Sequence, residues 1–120
     1  EPVLVTQPAL YGEGVDDVTG VDLAKVTVDN DPEHLRNGGL SWRILELYND
    51  TSRAIGQEQG VFVVDLARRL PKSSRYFYDF VHFTNEGAEA VGDLVARELC
   101  PFLAARFPGK ARAACPDARD

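Results

Sequence analysis

Val61-Phe62-Val63-Val64-Asp65-Leu66 forms a near-continuous apolar run directly after Gly60. A run of this length without polar alternation suits a strand covered on both faces, as strands of parallel sheets are. Upstream, residues 40–59 read as a helix. Leu40, Ile44, Leu45, Tyr48 and Ile55 recur at helical spacing, Ser41 is placed to cap the start and Gly60 to stop the end. Before that helix, Pro2-Val3-Leu4-Val5-Thr6 is a short β-branched run bounded by Gln7-Pro8, and it predicts a second buried strand. Strand, helix and strand in this order make a parallel βαβ crossover, which sets the fold class as α/β.

The remainder is less regular. Residues 9–39 have no clean period and carry Asp16, Asp17, Asp22, Asp29 and Asp31. Their spacing does not match a calcium loop, because Pro32 follows Asp29-Asn30-Asp31, and a solvated surface explains them. Val26 to Val28 is long enough for one further short strand. Residues 67–83 read as a loop with a basic cluster, Arg68, Arg69, Lys72 and Arg75, followed by an aromatic group. Thr84 is a good N-cap and Glu86 sits where the helix dipole favours an acid. Ala88, Val91, Gly92, Val95 and Leu99 then mark one face of a helix reaching about Arg106, with Pro101 as a potential kink. The tail from Phe107 to Asp120 loses apolar periodicity.

With 120 residues the chain has room for one domain and a modest core. Hydrophobic residues make up 44% and charged residues 27%, an ordinary globular balance. A net charge of -6 repels a phosphate backbone and argues against nucleic acid as a partner. No apolar run approaches the ~20 residues of a membrane-spanning helix. Cys100 and Cys115 are spaced for a disulfide that contributes about 3 kcal/mol by loop entropy and suits an oxidising, extracytoplasmic compartment, the alternative being two unpaired thiols in a reducing cell. Met is absent throughout, and a buried strand starting almost at residue 1 needs a neighbour. Both features predict a processed or excised piece of a longer chain.

The chain has two histidines, His34 and His82. His34 lies in the irregular Asp31-Pro32-Glu33-His34 segment and reads as a surface residue. His82 lies in Tyr78-Asp79-Phe80-Val81-His82-Phe83-Thr84, three residues after Asp79 and just before a capped helix. A carboxylate at that spacing on a tight turn reaches the imidazole, fixes its tautomer and leaves the other nitrogen free as a base. Tyr76, Phe77, Tyr78, Phe80 and Phe83 flank the pair and are placed to exclude water. The alternative is a capping turn with an incidental histidine, and the spacing alone leaves both open. Asp79 and His82 offer too few ligands for zinc. The basic cluster is either an anion subsite or a solvated loop.

The segment Asp79-Phe80-Val81-His82-Phe83-Thr84-Asn85-Glu86-Gly87 closely resembles the last signature block of the SGNH hydrolases, the GDSL lipase/esterase family, whose pattern D-x-x-H is commonly followed by F-T-x-E-G and a helix. The helix around Leu47-Tyr48-Asn49-Asp50, the run 60–66 and the Pro2–Pro8 segment resemble the family's penultimate helix, last strand and preceding core strand. The resemblance covers roughly residues 2–105. It implies the C-terminal part of a three-layer α/β/α sandwich with a flavodoxin-like parallel sheet, incomplete in this chain, over residues 1–106, with 107–120 as a tail. It implies that His82 is the general base of a Ser-His-Asp triad and that Asp79 orients it, with no cofactor and no metal. The family's G-D-S nucleophile motif and its oxyanion blocks do not occur here, and Ser41, Ser52, Ser73 and Ser74 stand in other contexts. The expected function is therefore the Asp-His part of a carboxylic ester hydrolase, inactive alone. Its expected partners are an ester substrate and either the N-terminal half of the same hydrolase or a homodimer mate. The alternative is a non-catalytic assembly module that pairs through an exposed sheet edge.

Overall fold

A computed structural model describes residues 2–29, 36–110 and 114–115. In chain order the elements are β1 (Val3–Val5), α1 (Gly38–Gln59), β2 (Phe62–Val64), α2 (Leu66–Arg69) and α3 (Asn85–Arg106). The strands pair in parallel, with Val3 opposite Phe62, Leu4 opposite Val63 and Val5 opposite Val64. The Thr6 amide donates to the Val64 carbonyl at 3.1 Å and extends the ladder. The α/β class and the βαβ order expected from the sequence are thus observed, as a two-stranded parallel sheet with three helices.

Both strands are shorter than the apolar runs that predict them, and neither is buried throughout. Val5 is 50% exposed. Each strand has one neighbour among the described residues, so each keeps an unpaired edge. The second run ends early because Asp65 turns out of the ladder and Leu66 opens α2, a short helix inside what reads as loop. The potential strand at 26–28 is reduced to a single bridge, Thr27 to Asn37.

Asp65 leaves the sheet to meet Arg53 of α1. The guanidinium donates to both carboxylate oxygens, Nε to Oδ2 and Nη2 to Oδ1, each at 2.8 Å. Its Nη1 also reaches Glu46 at 3.1 Å and Asp50 at 2.6 Å. Thr6 Oγ1 donates to Asp65 Oδ1 at 2.7 Å and accepts from the Ala67 amide at 3.0 Å. The Arg53 fork holds the Asp65 carboxyl below its ordinary range, against the opposing effect of burial. One fork therefore joins α1 to the ends of both strands.

Helix α1 packs by an unexpected face. Asn37 caps it, accepting from the Leu40 amide at 2.8 Å, while Ser41 lies one turn in and is buried. Gly60 ends it with φ 64, as expected. The buried residues are Gly38, Ser41, Asn49 and Gly56, whereas Leu40, Leu47, Tyr48 and Ile55 are exposed, Tyr48 by 71%. Two constraints select the small, polar face. A Cβ at Gly56 would stand 2.1 Å from Val63 Cγ2, so only glycine lets the helix lie this close to β2. The Asn49 amide meets the backbone of Gln7 twice, accepting from its N–H at 2.8 Å and donating to its carbonyl at 3.1 Å. A buried amide so satisfied carries little desolvation penalty.

The apolar core is drawn largely from other segments. Leu10, Leu23, Leu70 and Phe77 form its buried centre, with Tyr76, Phe83, Ala90, Val91 and Leu94 packed around them. The irregular segments and α3 therefore supply most of it. Asp16 ties two of those segments together, accepting from the amide and hydroxyl of both Thr19 and Ser74. Burial pushes its carboxyl up, but these four bonds outweigh burial and lower it to about 2. Cys100 on α3 is bonded to Cys115, with their Cα atoms 5.5 Å apart.

Thr84 caps α3 as expected, accepting from the Gly87 amide at 3.0 Å. The inward face carries Gly87, Ala90, Val91 and Leu94, while Ala88 and Gly92 face solvent. Of the expected face, Val91 packs on the core and Val95 and Leu99 are half-buried, while Ala88 gives way to Gly87, which leaves no mark in an apolar pattern. Gly87 is required by close approach, since a Cβ there would lie 1.9 Å from the Tyr76 carbonyl oxygen. Nothing lies within 4 Å of a Cβ built at Gly92. Two substitutions of the same kind in one helix are thus expected to act oppositely. Gly92→Ala gains about 0.5–1 kcal/mol from helix propensity, and Gly87→Ala loses about 2 kcal/mol by overpacking. Urea denaturation midpoints of the two variants check this, and midpoints shifted in the same direction would contradict it.

Candidate active site

Residues 76–84 form a tight hairpin. The Thr84 amide donates to the Tyr76 carbonyl at 3.0 Å, and the Tyr78 amide to the His82 carbonyl at 3.1 Å. Between these bonds Phe77 bridges Phe83. Successive cross-strand pairs face opposite sides of such a ribbon. The Phe77 and Phe83 rings, 5.2 Å apart, enter the core, and Phe77 is 1% exposed. The next pair, Tyr78 and His82, consequently stands on the solvent side.

The loop between them is held by a single side chain. Asp79 Oδ1 accepts from the amides of Val81 at 2.8 Å and His82 at 2.7 Å, which closes the turn. Phe80 is fixed from outside the hairpin, its carbonyl accepting from the Leu10 amide at 2.9 Å and its ring meeting Tyr11 edge-on. Asp79 Oδ2 remains free of the backbone and lies 2.7 Å from His82 Nδ1. The His82 amide, the Val81 amide and the imidazole, in that order, hold the Asp79 carboxyl down to about 2. At neutral pH the carboxylate therefore only accepts, the shared proton resides on Nδ1, and the lone pair of a neutral ring lies on Nε2. No group among the described residues bonds Nε2.

The two residues singled out by spacing are thus brought together, but not in the setting expected. The flanking aromatics do not shut water out. The His82 and Asp79 side chains are 64% and 43% exposed. Of the five aromatic residues, Tyr78 alone stacks on the imidazole, with ring centroids 5.7 Å apart and planes 13° from parallel. Cavities of about 170, 270 and 510 Å³ open along α1 and α3, and none of these three is lined by His82 or Asp79.

Three of the four serines are engaged elsewhere: Ser52 donates to the Tyr48 carbonyl, Ser73 accepts from the Arg75 amide and Ser74 bonds Asp16. Ser41 is buried in α1, and its hydroxyl has no hydrogen-bond partner among the described residues. Asn49 of the Leu47–Asp50 segment is occupied with Gln7 and Glu46. The basic cluster does not converge on the hairpin as an anion subsite. Arg68 faces Asp50 and Asp65, Arg69 pairs with Glu98 and Arg75 with Glu86. Lys72 sits 3.0 Å above the Trp42 ring, and burial lowers its amine to about 8. Sequence reasoning missed the Arg53–Asp65 fork and the Lys72–Trp42 contact, which join residues distant in the chain and leave no local signal. Among the described residues no three of His, Cys, Asp and Glu are grouped to hold a metal. His34 and Asp31 lie outside the described residues.

Comparisons with protein-family models, with curated proteins and with solved structures gave no match.

The acid dependence of the fold follows from its depressed carboxyls, among them Asp16, Asp65 and Asp79. Asp16 and Asp79 are lowered to about 2 in the folded chain, against about 3.9 in an unfolded one. A carboxyl depressed on folding stabilises the fold above the unfolded value and loses that contribution as pH falls through the folded one. Urea midpoints are expected to fall as pH drops from about 4 to about 2, with Asp16→Asn shrinking the drop. A midpoint insensitive to acid in that window would contradict the assignment.

Proposed function

We propose that this chain is the C-terminal portion of a serine ester hydrolase of the SGNH type and supplies the base and orienting acid of its Ser-His-Asp triad. The observation that carries the reading is the Asp79–His82 pair, 2.7 Å apart, standing open on a hairpin that runs into a capped helix within D-x-x-H-F-T-x-E-G. On this reading the chain is part of a three-layer α/β/α sandwich whose remaining strands and helices lie in another stretch of polypeptide. Residues 1–106 belong to that domain and 107–120 form its tail.

The chemistry divides accordingly. A serine hydroxyl supplied from elsewhere attacks the ester carbonyl while His82 Nε2 accepts its proton. Asp79 stabilises the imidazolium that forms, without taking the proton itself. The tetrahedral oxyanion needs backbone or side-chain donors, which also come from the missing part. His82 then returns the proton to the leaving alcohol, and a water molecule, activated in the same way, releases the acid. The pair needs no metal or cofactor for these steps.

Open strand edges and the exposed Leu40, Leu47, Tyr48 and Ile55 of α1 favour a companion layer. They also support a second reading, a non-catalytic module that assembles through its sheet edge. A p-nitrophenyl acetate assay separates the two. The chain alone is expected to show no His82-dependent turnover. Joined to a serine-bearing N-terminal half, it is expected to gain activity that His82→Ala abolishes and Asp79→Asn lowers by about 10⁴-fold. Turnover by the isolated chain that falls in His82→Ala would contradict the triad reading. Activity in the joined protein that survives His82→Ala would do the same, leaving the assembly module.

A further inference from the structure

On the esterase reading, the base is poorly constrained by Asp79 alone. One hydrogen bond at Nδ1 fixes the position of that atom but not the plane of the ring, and the second imidazole torsion is broad. A buried histidine has its plane set by surrounding walls. His82 is 64% exposed and has no such walls among the described residues. A misplacement of about 1 Å in a reacting group costs on the order of 10²-fold in rate, so an exposed base needs a second constraint.

The hairpin provides one. The core pair Phe77 and Phe83 forces Tyr78 and His82 onto the outer face as the next cross-strand pair, tied by the bond from the Tyr78 amide to the His82 carbonyl. Their rings meet nearly parallel, 13° apart. Tyr78 is itself 68% exposed. Burial does not account for a large aromatic ring left in solvent, and among the described residues the imidazole is its one ring contact. We propose that Tyr78 is a positioning residue, whose stacked ring sets the plane in which His82 presents Nε2 to the serine hydroxyl. Asp79 fixes the tautomer, and Tyr78 fixes the orientation.

The test reads the imidazole directly, in the chain as it stands and without substrate. A His34→Gln background leaves His82 as the sole histidine. Proton NMR then follows the ring-current shift of the His82 carbon-bound protons and the persistence of the Nδ1 proton. Tyr78 and Tyr78→Phe are expected to give the same upfield-shifted ring and a persistent Nδ1 proton. Tyr78→Ala is expected to lose both, while the Val81 and His82 amides held by Asp79 stay protected. Retention of the Nδ1 proton in Tyr78→Ala would overturn the proposal, as would its loss in Tyr78→Phe. Should Tyr78→Ala open the turn, Tyr78→Leu keeps bulk at the position without an aromatic face and is read by the same two signals. These signals do not depend on ester turnover, so this proposal and the esterase reading fail separately.

Discussion

A single carboxylate sets both the shape of the 79–82 turn and the chemistry of the ring beside it. Asp79 spends one oxygen on two backbone amides and the other on the imidazole. The same charge that closes the loop therefore fixes the histidine tautomer. The turn needs a rigid base, and the Phe77–Phe83 pair provides it by sinking the hairpin stem into the core. The stem in turn lies against α3 because Gly87 lets the Tyr76 carbonyl approach the helix closely. Removing any of these members loosens the others, so local structure, packing and the site form one connected arrangement.

Helix α1 is held to the strands by polar contacts and a close glycine approach. Arg53 clasps Asp65, Asn49 clasps Gln7, and glycine brings α1 onto β2. Apolar residues of α1 are consequently left facing outward, and among the described residues the two strands keep open edges. Parallel sheets are normally covered on both faces and extended on both sides. An exposed dyad, open edges and a bare helix stripe are three independent features, and the proposed companion half of an esterase accounts for all of them together.

The sequence was legible where chemistry is local. Gly60 and Thr84 mark helix ends through backbone geometry and capping, which depend on neighbours within one turn. Asp79 and His82 meet because three residues on a tight turn suffice to join them. The paired strands were readable from their β-branched runs, though not their length, because Asp65 is drawn out of the ladder by an arginine twelve residues away. The face of α1 and the first turn of α3 depart from the apolar pattern for a shared reason. Apolar periodicity registers side chains that prefer burial, whereas these helices are placed by glycines at 56 and 87 and by the amide of Asn49. The openness of the site was also hidden, since five flanking aromatics look like a wall until strand alternation sends Phe77 and Phe83 inward.

With Asp79 accepting from Nδ1, the lone pair of a neutral His82 ring lies on Nε2. Long-range nitrogen–proton correlation of the imidazole, in the chain carrying His82 as its only histidine, measures this most directly. A neutral ring protonated at Nδ1 is expected, with that preference lost in Asp79→Ala. A neutral ring protonated at Nε2 would contradict it, as would a tautomer indifferent to Asp79→Ala.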